Sequence, residues 1–242
     1  MTTDQAPLEE GRIHRVGPIE LVDEEADLVT VRVWQLPLRY VHWSFVFCLI
    51  ALSVTGFYIG SPFRIVGFEV GYLMGKVRFV HFVAAWVFML TMVVRIALFF
   101  IGNRWARWDQ FIPVNPDRRR WMRKTLSYYL FVRAEPPPAI GHNPLAGMTY
   151  LLVYFMFCVA IFTGLALQSF GTQAGWQWFV SGWVVDLLGI QQVRLVHHMI
   201  MWLAIGFTIH HLFSVILIDH EERSGITSSM VSGMKRLPRE RL

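Results

Sequence analysis

Six of the nine histidines in this chain of 242 residues, His42, His81, His197, His198, His210 and His211, lie within long apolar stretches. An imidazole placed in hydrocarbon must be tied to another helix by a hydrogen bond or be holding a ligand. Helix geometry sorts the six. His197 and His211 are nearly four turns apart, which leaves them about 40° apart around a helix and about 21 Å apart along it. The pairs 197/210 and 198/211 miss a common face by about 140°, and 198/210 by about 120°. His197 and His211 are therefore expected to face inward, with His198 and His210 turned elsewhere.

Depth adds a second constraint. In helices that alternate in direction, His42 and His211 fall at one level and His81 and His197 at the other. Facing imidazoles from different helices are how a bundle clamps a planar macrocycle through its metal. An iron with both axial positions filled is suited to electron transfer instead of oxygen binding. The expectation is two stacked b-type haems. The chain has no Cys-x-x-Cys-His, and Cys48 and Cys158 each sit alone in an apolar run, so neither thioether attachment nor a disulfide framework is indicated. A histidine-lined transporter of zinc or a similar ion is a rival, but such an ion asks for three or four convergent ligands, often with a carboxylate. The apolar stretches hold no Asp or Glu, and their one fixed charge is Arg95. Arg95 follows His81 by nearly four turns and so shares a similar face; it could pair with a haem propionate or snorkel to the interface. Gly56, Gly164, Ala204 and Gly206 could be close-packing positions or room for a porphyrin face.

Four elements must position these groups. Residues 41–60, 79–101, 148–170 and 195–218 are each long enough, as helices, to cross a hydrocarbon core of about 30 Å. With 55% hydrophobic and only 16% charged residues, the chain is neither disordered nor an ordinary soluble domain. The expected fold is all-α, an integral membrane four-helix bundle. The net charge of +5 points to a lipid bilayer as partner and not to nucleic acid, because the basic residues flank the apolar runs. The segment ending at Arg39 carries four Lys and Arg, residues 102–147 carry eight, and the residues after Ile218 carry five; Arg64, Lys76, Arg78 and Arg194 are all that the other connections hold. By the positive-inside rule both termini face the cytoplasm. The domain layout is a polar, acidic segment 1–32 with little fixed structure, a bundle over 33–220 and a cytoplasmic tail over 221–242. No removable signal peptide is read, so the first helix is expected to direct insertion. Residues 171–192, with Trp176, Trp178 and Trp183, suit a short helix lying in the outer interface. The cluster Arg118, Arg119, Arg120, Arg123 and Lys124 reads as a topology anchor against anionic lipid.

Several motifs then fall in order: Val-Arg-Val-Trp at 31–34, Val-His-Trp at 41–43, Val-Thr-Gly-Phe-Tyr-Ile-Gly at 54–60, and Met-Gly-Lys-Val-Arg-Phe-Val-His-Phe at 74–82. They are followed by Gly-Asn-Arg at 102–104, Ile-Gly-His-Asn-Pro-Leu-Ala at 140–146, His-His-Met-Ile-Met-Trp at 197–202 and Ser-Met-Val-Ser-Gly at 229–233. The series resembles the b-type cytochrome subunit of membrane-bound nickel-iron hydrogenases, from about residue 31 onward. The resemblance implies a subunit of the bacterial inner membrane that anchors the hydrogenase on the periplasmic face without itself activating hydrogen. Electrons from the iron-sulfur small subunit, partner of the nickel-iron large subunit, would cross two haems to quinone. It implies four iron ligands, His42, His81, His197 and His211, in the pairs His42/His211 and His81/His197. It also implies a quinone pocket at His142 and Asn143, near the inner haem. The equivalent cytochrome b subunit of a formate dehydrogenase or another periplasmic oxidoreductase is the alternative.

Overall fold

The computed structural model describes residues 14–16, 19–24, 28–62, 72–130, 132–133, 141, 143–222 and 224–238. Four long apolar helices span the membrane: α1 (Leu36–Gly60), α2 (Leu73–Ile101), α4 (Pro144–Ser169) and α6 (Ile190–Glu222). Each begins earlier than the apolar stretch alone requires, because helical backbone bonds continue through the interfacial turns. Proline marks two of the starts. Pro37 lies in the first turn of α1, and Pro144 opens α4 behind Asn143, whose Oδ1 accepts the Ala146 N–H at 2.7 Å. Proline lacks an N–H that the first turn could not have used, and an asparagine N-cap satisfies one that it could.

Packing pairs α1 with α2 and α4 with α6, and contacts of α2 with α4 and of α1 with α6 close the bundle. Its centre is aromatic. Phe45 of α1, Phe88 of α2 and Phe157 of α4 meet with ring centroids 4.9 to 5.4 Å apart, two of the three pairs closer to edge-on than stacked. The outside is apolar as well: Phe47, Val54, Leu90, Leu152 and Phe155 are exposed, which is the pattern of a surface facing lipid. A short helix α5 (Gly175–Leu188) packs on α4 through Ser181, Gly182 and Val184 and exposes Phe179, Trp183 and Leu187 along one side. It lies at the end of the bundle opposite the start of α1 and the end of α6, as expected for the interfacial helix, and Trp176 meets Trp86 of α2 at 5.4 Å.

The connection from α2 to α4 is more ordered than its charge implies. A 3-10 turn at Trp108–Gln110 leads into α3 (Pro116–Tyr129), which carries the basic cluster and is capped by Asn115 accepting the Asp117 N–H at 3.1 Å. The connection approaches α4 so closely at Gly147 that a Cβ there would lie 2.6 Å from the Gln110 carbonyl oxygen.

Both ends of the chain depart from expectation. The segment 1–32 was expected to hold little fixed structure and 221–242 to be a tail, yet β1 (His14–Val16), β2 (Ile19–Glu24), β3 (Leu28–Arg32) and β4 (Met234–Pro238) form one antiparallel sheet in that order. Leu28 faces Pro238 and Arg32 faces Met234. The physical reason is a period-two apolar face, Val29, Val31 and Val33, that is fully buried with Leu237. Before β4, α7 (Ile226–Ser232) ends at Gly233, whose φ of +86° favours glycine. The Gly233 carbonyl accepts the N–H groups of Val33 and Trp34 at 2.9 and 3.0 Å, joining the sheet to the start of α1. Asn103 fastens the same junction from α2: its Nδ2 donates to the buried Val33 carbonyl at 2.9 Å and its Oδ1 accepts the Ala106 N–H at 3.1 Å. Asn103→Ala removes both partners and is expected to destabilise the folded chain by about 1–3 kcal/mol, seen as a lower Tm in detergent.

Candidate functional site

The four inward histidines come from three helices. His42 lies near the start of α1, His81 in the third turn of α2, and His197 and His211 on α6. All four are half-buried, whereas His198 and His210 are exposed. His198 points along the bundle surface, with its ring 6.4 Å from Phe57 and against the backbone of Gly60.

At the end that carries the sheet, the rings of His42 and His211 lie with centroids 6.4 Å apart and planes at 55°. A metal–imidazole bond is about 2 Å, so two imidazoles on opposite sides of one ion have centroids about 6 Å apart. This near pair is walled by aromatics: Phe207, one turn before His211, stacks on it at 5.6 Å, Tyr150 meets it edge-on at 5.8 Å, and Trp43 stands at right angles to His42 at 5.4 Å. The Tyr150 hydroxyl is 3.5 Å from His211 Nδ1, and the buried His42 Nδ1 has no hydrogen-bond partner among the described residues.

At the other end, His81 and the α6 turn that follows His197 meet the same point of α1: a Cβ on Gly56 would stand 3.6 Å from His81 Cε1 and 3.5 Å from Met201 Sδ. Each far imidazole has a threonine on its Nδ1: Thr55 Oγ1 at 2.8 Å from His81 and Thr163 Oγ1 at 2.9 Å from His197. Each also has a glycine beside its Cε1, Gly56 for His81 and Gly164 for His197.

Arg95 sits deeper than a snorkelling residue would, with 1% exposure. Its Nε donates to the Tyr154 hydroxyl at 3.0 Å and its Nη1 to the Ala106 carbonyl at 3.3 Å, while the rings of Phe99, Phe111 and Tyr154 surround the guanidinium at 4.1, 4.9 and 5.0 Å. Among the described residues no carboxylate pairs with it. His142 lies outside the described residues. Asn143 serves as the α4 N-cap.

The donor set decides what kind of group fits. Among the described residues no three His, Cys, Asp or Glu side chains converge as a bare metal ion requires. Two facing imidazoles at the near level, with a second half-buried pair at the far one, fit metals whose remaining ligands come from a macrocycle. The sequence profile of the prokaryotic cytochrome b561 family matches residues 33–233. The chain belongs to this family. Its curated relatives include a probable Ni/Fe-hydrogenase B-type cytochrome subunit of Cupriavidus necator, 39% identical over 84% of this chain and 86% of that one. Proteins of the same description from Bradyrhizobium diazoefficiens and Escherichia coli are 37% and 32% identical, over 86% of this chain and 86% and 92% of theirs. The resemblance carried by the motifs is thereby borne out, as is the helical membrane bundle.

In this cytochrome b561 member, sequence reasoning passed over Thr55, Thr163, Tyr150 and Tyr154. The first two had a signal: the dipeptide Thr-Gly recurs at 55–56 and 163–164, toward the ends of two spanning stretches, where a hydroxyl in hydrocarbon needs a partner. From the contrast in burial, His198→Ala and His210→Ala are expected to keep the full haem absorbance of the purified protein. His197→Ala and His211→Ala are each expected to lose haem absorbance, and the reverse pattern would put α6 in the wrong rotation.

Proposed function

We propose that this chain is the electron-transfer subunit that anchors a periplasmic nickel-iron hydrogenase to the bacterial inner membrane and passes its electrons to quinone. Two b-type haems would be held, one by His42 and His211 and one by His81 and His197. Bound there, haem supplies a one-electron carrier. The observation that carries the reading is the near pair, two imidazoles from α1 and α6 at the spacing of opposite ligands on one ion, with a second inward pair at the other level.

The protein's own groups do the rest. His42, His81, His197 and His211 would hold the haems, two imidazoles to each, which would keep small ligands such as oxygen off the metal. The aromatic layer of Phe45, Phe88 and Phe157 keeps water from the space between the two levels. Arg95 is a buried cation that no carboxylate pairs with among the described residues, and a haem propionate is an anion of the right chemistry to offset its charge. The relatives' description as hydrogenase B-type cytochrome subunits supports the hydrogenase small and large subunits as partners. The Lys and Arg bias supports cytoplasmic termini, which puts the far pair on the periplasmic side where electrons enter. The near pair then lies on the cytoplasmic side, beside the start of α4. Quinone reduction consumes protons, so its site needs a water-reachable polar group close to that pair. Asn143 offers its amide NH2, since its Oδ1 is engaged by Ala146, and His142 is of a type that relays protons near neutral pH.

Pyridine haemochrome titration of the purified chain is expected to give two haems b per polypeptide, both low-spin and both reduced by hydrogen when the hydrogenase subunits are co-purified. A single haem in a fully loaded preparation would overturn the reading. For the quinone, His142→Ala and Asn143→Ala are expected to leave hydrogen-dependent haem reduction intact and to slow haem reoxidation by quinone about tenfold, the loss of one charge-assisted or neutral hydrogen bond. Unchanged reoxidation in both variants would leave Asn143 only its helix-capping role.

A further inference from the structure

We propose that Thr55-Gly56 and Thr163-Gly164 form a matched pair of devices that fix His81 and His197 as Nδ1–H donors and hold the far haem at a lower midpoint potential than the near one. The inference rests on the two-haem reading above.

Both threonine protons are already committed. Thr55 Oγ1 donates to the Ala51 carbonyl at 2.6 Å, and Thr163 Oγ1 donates to the Val159 carbonyl at 2.7 Å. Bonding back to the preceding turn is ordinary for a threonine in a helix. What it leaves is decisive. A hydroxyl has one proton and two lone pairs, so a threonine that has given its proton to a carbonyl can only accept from the imidazole beside it. The contacts at 2.8 and 2.9 Å are therefore Nδ1–H donations from His81 and His197. A neutral imidazole protonated on Nδ1 carries its lone pair on Nε2, the state in which it ligates a metal. Each ring is thus set in one tautomer by a group on another helix.

The glycines complete the device. A Cβ at Gly164 would stand 3.2 Å from His197 Cε1, tighter than ordinary packing, and one at Gly56 would stand 3.6 Å from His81 Cε1. Each glycine directly follows its threonine, so hydroxyl and bare backbone face the same ring. The arrangement occurs twice, from α1 onto α2 and from α4 onto α6.

The near pair is built differently. His42 Nδ1 is buried without a partner among the described residues, and the Tyr150 hydroxyl stands off His211 Nδ1 at 3.5 Å. A donated Nδ1–H makes an imidazole a more basic ligand, which favours the oxidised, more highly charged iron and lowers its potential. Two such bonds at the far level and, among the described residues, none of comparable length at the near level give a potential that rises from far to near. Thr55 and Thr163 are positioning residues in this sense, acting on the iron only through the imidazoles.

The test is a spectroelectrochemical titration of the complete purified chain with both haems bound, in Thr55→Val, Thr163→Val and the double variant, with Thr55→Ser and Thr163→Ser as rescues. Valine keeps the shape and removes the acceptor; serine restores it. The expected result is two haems retained, the lower-potential wave shifted upward in each Val variant and further in the double, the upper wave unmoved, and parental potentials in the Ser variants. With two haems bound, no shift in either wave, or an equal shift in both, overturns the proposal. If a Val variant loses a haem, a Ser variant with two haems and parental potentials supports the role of the hydroxyl, and a Ser variant that loses the haem as well overturns it. A single haem in the unmodified chain instead overturns the two-haem reading and, with it, the contrast between levels.

Discussion

Inside a bilayer a polar group has no water to fall back on, so each must find its partner within the protein or on something the protein binds. That constraint orders this bundle. The hydroxyls of Thr55, Thr91, Thr163, Ser169 and Thr208 each return to a carbonyl one turn earlier on their own helix, which satisfies them without involving another element. Histidine cannot do this, because its ring reaches across and not back. The imidazoles are thus the groups that must be satisfied between helices, and α1, α2, α4 and α6 are arranged around them.

Among the described residues the one buried guanidinium follows the same rule by a different route. Arg95 is held by two hydrogen bonds and three ring faces instead of a carboxylate. The box joins α2, α4 and the connection that leads to α3, so the charge also fastens the connection to the bundle. Beside it, Asn103 links the end of α2 to the junction of sheet and α1. Between the two imidazole levels the core is largely apolar, with Phe45, Phe88 and Phe157 packed among Cys48, Met92 and Val153.

What could be read without coordinates was whatever depends on a local period. The four spans follow from runs of apolar residues, and the half-burial of His197 and His211 beside exposed His198 and His210 follows from counting turns along one helix. Relations between helices were not legible. Nothing in the spacing along α1 says that Thr55 meets a ring on α2, since that depends on the rotation of both. Helix α3 was hidden by its own charge, although Asn115-Pro116 is the same start signal as Asn143-Pro144. The sheet was missed because its acidic residues draw attention from the alternation of Val29, Val31 and Val33, and because β4, the strand that buries that alternation, lies near the far end of the chain.

That last pairing has a consequence for biogenesis. β4 follows all four spanning helices in the chain, so the buried face of β3 has no cover until every one of them has left the ribosome and entered the membrane. The clasp between Gly233 and the residues leading into α1 closes at the same late moment. Until then α1, which carries His42, is held by its neighbours in lipid alone, and the end of the bundle nearest the His42/His211 level stays unlatched. Closure of the sheet therefore follows insertion of the helices, because the strand that seals it comes after all four of them in the chain.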